Sequence, residues 1–224
     1  MLLVSPKAFL ARPRQADCTA VSHASERSDA GPLGDQEIHA HLLSRLRLQH
    51  ARKGDAIFIE ELGLCRGHVR VDVAVVNGSI HGYEIKSDKD SLRRLATQVA
   101  VYGRVLDRAS LVVGTKNLDD AVSAIPTWWG VQLAERRRGE VVLKRLRPGH
   151  QNPARDPRTL VELLWLEEAL TLLEARGGTR GFLGRPRRQI WDRVCELYNV
   201  DEIAGAVRRQ IKARTGQLSF PPRV

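Results

Sequence analysis

The apolar positions of this chain change their period several times, and each change marks a predicted element. From Asp35, a residue type that caps helices, Ile38, Leu42, Leu43 and Leu46 recur at helical spacing. A short apolar run, Ile57-Phe58-Ile59, follows, and then a longer strand from Val69 to Val76. Asn77-Gly78 is the residue pair best suited to a tight hairpin turn, and a second strand, Ser79 to Lys86, returns from it. Ser91 to Leu106 reads as a helix with Leu92, Leu95, Val99, Tyr102 and Leu106 as its buried stripe. Ala109 to Val113 reads as a strand covered on both faces, and Val131 to Ala134 with Val141 to Leu146 as a further pair. After Pro148 the pattern predicts helices at about 158–175, 187–198 and 201–214, separated by Gly177-Gly178 and a short Asn-Val-Asp turn.

These periods divide the chain into three expected parts. Residues 1–33 mix Ser, Ala, Asp, Pro and Gly without periodicity and are expected to be a disordered lead-in. Residues 34–148 carry the alternating strand and helix patterns of an α/β core, and residues 149–224 form a basic helical module. No internal repeat is visible.

Charge sharpens this division. The chain of 224 residues carries a net charge of +10. Residues 1–135 hold 17 Lys and Arg against 16 Asp and Glu, whereas residues 136–224 hold 19 against 10. A back third with a surplus of nine positive charges points to a polyanionic partner. Nucleic acid is expected ahead of a membrane, because no amphipathic stretch joins large aromatics to Lys-rich flanks. The bland alternative is an arginine-rich genome. No apolar run approaches the length of a membrane span, and the start lacks the layout of a secretory signal. Three widely spaced cysteines, Cys18, Cys65 and Cys195, form neither a disulfide framework nor a zinc knuckle. A reduced, cytoplasmic setting is the simplest expectation.

The chemistry concentrates on the predicted hairpin. Asp72, Glu84 and Lys86 interrupt strands that are otherwise apolar or β-forming. Glu84 and Lys86 are two apart and share a face of their strand. A carboxylate set among valines carries a desolvation penalty unless it is paired or holds a metal. Two carboxylates on one face repel, and a Mg²⁺ ion with its hard-oxygen preference would remove that repulsion. Parity sets a condition. With an unbulged two-residue turn Asp72 would face Tyr83, so a site shared with Glu84 requires a three-residue loop or a bulge.

Asp72, followed after eleven residues by Glu84-Ile85-Lys86, resembles the D-X(n)-E-X-K signature of the PD-(D/E)XK nuclease superfamily. Glu37 lies on a preceding helix, and Gln98-X-X-X-Tyr102 on the following one is similar to the Q-X-X-X-Y element of RecB-type members. The segment from Gly82 to Asp88, with Trp128-Trp129-Gly130 downstream, also resembles a bacterial family of uncharacterised nuclease-like proteins. The resemblance covers roughly residues 35–135. Val71 stands where the superfamily often has proline.

This resemblance implies a restriction-endonuclease-like α-β-β-β-α-β core, a mixed sheet flanked by helices, and a Mg²⁺-dependent nuclease (Mn²⁺ substituting) that hydrolyses DNA phosphodiesters. Asp72, Glu84 and Lys86 would be catalytic. Asp72, Glu84, the Ile85 carbonyl and Glu37 would hold the metal. Gln98, Tyr102, Ser87, Arg93 and Arg94 would meet nucleic acid.

Each assignment has a structural alternative. Asp72 and Glu84 could form surface salt bridges with Arg70 and Lys86, and Glu37 could simply complement the helix dipole. Gln98 and Tyr102 could be core, Arg93 and Arg94 solvated charge, and Trp128-Trp129 a packing anchor. The basic tail could be a helix-turn-helix-like DNA-binding element or, as preferred, a cap on the core. Two rival functions stand beside the nuclease: a nucleic-acid-binding module that does not cleave, and a subunit of a larger defence or repair assembly that is inactive alone.

Overall fold

The computed structural model describes residues 31–218, except residue 53. The expected lead-in over residues 1–33 therefore lies almost entirely outside the described residues, as does Cys18. Helix α1 spans Asp35–His50, and its stripe Ile38, Leu42, Leu43 and Leu46 is buried. The sequence suggested Asp35 as its cap. The cap is instead Gly34, whose N–H donates to the Glu37 carboxylate at 3.1 Å, which makes Asp35 the first helical residue.

Six strands follow: β1 Ile57–Leu64, β2 Val69–Val76, β3 Ile80–Lys86, β4 Arg108–Gly114, β5 Gly130–Arg137 and β6 Glu140–Arg147. They lie side by side in sequence order in one mixed sheet. β3, β4 and β5 run parallel, and the other neighbours are antiparallel. Helix α2, Leu95–Val105, makes the crossover from β3 to β4, and the short α3, Leu118–Ser123, makes the one from β4 to β5. The expected α/β sheet flanked by helices is what the structure has.

The two faces of the sheet bury different partners. On one face Val73, Val75, Tyr83, Ile85, Val112 and Leu143 pack against the α1 stripe. On the other, Ala74, Val76, Ile80, Leu111 and Val113 meet Leu95, Tyr102 and Val105 of α2 and the buried Trp129. That second cluster continues without a break into α4 (Pro157–Val161), α5 (Leu166–Glu174), α6 (Arg187–Leu197) and α7 (Val200–Leu218).

One helix was predicted where two exist. The run Leu163-Leu164-Trp165-Leu166 cannot place four successive apolar side chains on one helical face. The chain turns there, and Trp165 becomes the cap of α5, its N–H donating to Glu168 at 2.8 Å.

Buried charge ties the helices to the sheet. Asp107, just before β4, is 2% exposed. Its carboxylate accepts from the Ile80 N–H at 2.7 Å, from Arg155 at 2.5 Å and from Arg208 of α7 at 3.1 Å. At Gly82 the backbone comes so close to its neighbours that a β-carbon would sit 2.5 Å from Leu106 Cδ1.

Candidate functional site

The β2–β3 connection meets the parity condition. Three residues, Asn77-Gly78-Ser79, separate the last ladder pair, Val76 and Ile80, and the same register carried on places Asp72 level with Glu84. The ladder itself stops at Val73 and Tyr83. Val71 packs in the α2-side cluster while Val73 and Val75 pack in the α1-side cluster, so the alternation of β2 breaks at Asp72. The Asp72 carboxylate enters the gap and accepts the Ile85 N–H at 2.6 Å, a bond that an unbroken ladder would have given to backbone. Opposite, Glu61 of β1 holds a left-handed φ of 55°.

Glu84 is fully buried, and its carboxylate is saturated from within. Lys86 Nζ and Gln98 Nε2 (at 2.5 Å) both donate to Oε1, and the Tyr102 hydroxyl donates to Oε2. Tyr102 also reaches the Arg70 carbonyl at 2.8 Å. Gln98 is 8% exposed, and its Oε1 has no partner among the described residues. Lys86 is itself buried, so its pair with Glu84 is an interior ion pair rather than a surface bridge. Arg70 pairs with Glu61 at 3.8 Å instead of with Asp72.

Electrostatics follow from this packing. Burial and then the Glu84 charge push the Asp72 carboxyl up to about 7. Burial, reinforced by Glu84, pushes the Tyr102 phenol upward. Asp35, at the exposed start of α1, is raised by partial burial and by the charge of Asp90.

Not every expected residue converges. Glu37 points away, pairing with Arg136 at 2.6 Å, and that bond lowers its pKa. The acidic group of α1 whose charge is felt by Asp72 is Asp35. A signal for this was present: Asp35 lies three and seven residues before Ile38 and Leu42, in line with the buried stripe though itself exposed, whereas Glu37 does not. Ser87 is consumed by a local turn, its hydroxyl donating to Asp90 at 2.6 Å. Arg93 and Arg94 are exposed in the 3-10 turn before α2, with no carboxylate partner among the described residues.

A second polar cluster was missed. His81 Nε2 lies 2.9 Å from Ser110 Oγ, and His81 Nδ1 lies 3.2 Å from the Tyr83 hydroxyl, with the two rings stacked. Burial pushes the imidazole down to about 4, so it is neutral at pH 7. Single histidines and serines on strands carry no sequence mark of such pairing.

The arrangement can hold a proton on Asp72 near neutral pH, or exchange that proton for a cation. Among the described residues no group of three or more His, Cys, Asp or Glu side chains is gathered to hold a metal. No described helix is long and apolar enough to cross a membrane.

Residues 30–220 match the family described as Bacteriophage P4 protein cII. The chain belongs to the phage P4 cII family. A relative, Protein cII of Enterobacteria phage P4, is 25% identical over 182 residues, which are 81% of this chain and 68% of that protein. No solved structure matches the chain. Membership in the cII family corrects the nuclease reading. The resemblance to the PD-(D/E)XK superfamily, the expected DNA-hydrolysing function and the enzyme class are withdrawn. Three internal donors occupy the Glu84 carboxylate, an arrangement that any buried carboxylate requires.

Proposed function

We propose that this cII-family protein binds nucleic acid, DNA foremost, without cleaving it. One observation carries the reading. The arginines of the C-terminal third fall into two sets with different work. Arg155, Arg158, Arg176, Arg208 and Arg214 face carboxylates and hold the helices together. Arg138, Arg145, Arg180, Arg187, Arg188 and Arg209 are exposed, with no carboxylate partner among the described residues. Exposed guanidinium groups without carboxylate partners support binding to phosphates, the source of salt-dependent affinity.

The test is binding of labelled duplex DNA by the full chain over a range of salt. Affinity should fall steeply with salt, and Arg145→Ala with Arg188→Ala should lower the slope of log K against log salt by about 0.9 for each phosphate left without its arginine. Binding that is absent at low salt, or indifferent to salt, refutes the proposal.

A second reading concerns the cation. A Mg²⁺ ion held by Asp72 and Glu84, with the Ile85 carbonyl, is supported by the proton that Asp72 retains near pH 7 and by the unpartnered Gln98 Oε1 beside it. Lys86 would have to release one Glu84 oxygen. Calorimetric titration with Mg²⁺ should give a binding heat that Asp72→Asn removes. An unchanged heat in that variant rules the site out.

A further inference from the structure

A groove of about 480 Å³ lies between the β1–β2 connection and the C-terminal helices. Leu62 and Arg66 line one side, and Trp165, Arg187, Trp191 and Arg214 are on the other. Three features set it apart from ordinary surface.

First, Trp165 is 57% exposed, although tryptophan is the side chain with most to gain from burial. Its ring is held in place all the same. The Arg214 guanidinium sits 4.1 Å from the ring centre, and Arg214 is fixed by Glu168 and by the Leu163 carbonyl at 2.9 Å. The indole is therefore a braced platform.

Second, the start of α6 is electropositive without compensation. Its first residues are Arg187 and Arg188, its first turn has no acidic residue, and no side chain caps it. The free N–H groups and dipole of a helix start already favour an anion, and natural helices place carboxylates there. Here two arginines add to that field. Arg66 across the groove likewise has no carboxylate partner among the described residues, while Glu162 in the wall is matched by Arg158 at 2.9 Å.

Third, Trp191 is 4% exposed, and its indole N–H has no partner among the described residues. A buried indole N–H left without an acceptor carries a desolvation penalty, which marks this wall as an imperfectly satisfied part of the core.

Flat ring surface beside concentrated positive charge matches one ligand chemistry: an aromatic base joined to phosphate. We infer that this groove takes an unpaired nucleotide of a single-stranded nucleic acid, with the base stacked on Trp165 and the phosphate at Arg187, Arg66 and the start of α6. The inference rests on the nucleic-acid-binding reading and adds to it a preference for single strands at this place. Base stacking on an aromatic side chain is largely indifferent to base identity, so the groove should be tolerant of sequence.

The test uses the full chain with fluorescent oligo-dT, oligo-U and duplex DNA of equal length. Trp165→Ala should weaken binding of the single strands by about 10- to 100-fold, the worth of one base stack, and Trp165→Phe should restore most of it. Duplex binding should change by less than about threefold, since paired bases offer no free ring face. Arg187→Glu gives an independent reading should Trp165→Ala fold poorly, and it should weaken the single strands at least as much. Oligo-dT and oligo-U distinguish DNA from RNA as the source of the nucleotide.

Single-strand affinity unchanged in the folded Trp165→Ala and Arg187→Glu proteins would overturn the inference while leaving the nucleic-acid reading in place. Displacement of oligo-dT by poly-glutamate, undiminished in Trp165→Ala, would overturn it too, because the groove would then respond to charge alone. If the unaltered protein binds none of the three probes, the nucleic-acid reading itself fails.

Discussion

Replacing Asp72 with asparagine isolates the electrostatics of the buried hairpin. Asparagine keeps an oxygen to accept the Ile85 N–H and removes the charge beside Glu84. In the folded protein the Asp72 carboxyl titrates at about 7, against an ordinary value of 3.8. Below pH 3.8 it is protonated in both folded and unfolded chains and contributes no pH-dependent difference. As pH rises from 3.8 towards 7, the unfolded chain gives up a proton that the folded chain keeps. Stability therefore falls across that window and stays low above it. The gap corresponds to about 4 kcal/mol, of which solvent screening at a partly exposed carboxylate leaves about 2 kcal/mol.

Urea unfolding of both proteins from pH 4 to pH 8 measures this directly. The stability of Asp72→Asn minus that of the parent should grow by about 2 kcal/mol over the range, in favour of the variant. Subtraction cancels the other titrating groups. Millimolar Mg²⁺, if bound at Asp72, should raise the parent's stability at pH 8 and leave the variant unmoved. A difference that stays flat from pH 4 to pH 8 would refute the buried, charge-opposed environment assigned to Asp72.

Two further expectations concern the fold. Asp107→Ala strands Arg155 and Arg208 and frees the Ile80 N–H, so it should lower unfolding free energy by about 3–5 kcal/mol in a denaturant titration. Gly82→Ala drives a methyl into Leu106 and should lower it by about 1–3 kcal/mol. The equally small Gly78→Ala, at a position with open space around it, serves as control.

The hairpin shows how a local pattern can be read correctly and still mislead about function. Glu84 and Lys86 share a face by strand parity, and the three-residue connection brings Asp72 level with Glu84; both are local properties. The meaning of that meeting is settled elsewhere. Gln98 and Tyr102, more than a dozen residues on, close over Glu84 and satisfy its oxygens. Any buried carboxylate on a strand needs such partners, whatever its task. The D-X(n)-E-X-K spacing therefore could not separate a nuclease from a cII-family protein.

By itself the chain determined the period of each element: the α1 stripe, the two hairpin strands, the buried β4 and the helical texture after Pro148. These follow from nearest-neighbour geometry, which repeats every 2 or 3.6 residues. Only the tertiary structure decided which charges meet. Arg208 finds Asp107 101 residues away, Glu37 turns to Arg136 99 residues away, and Trp165 is left in the open behind Arg214. Long, flexible charged side chains choose partners by spatial proximity and desolvation, and neither quantity exists until the layers have packed.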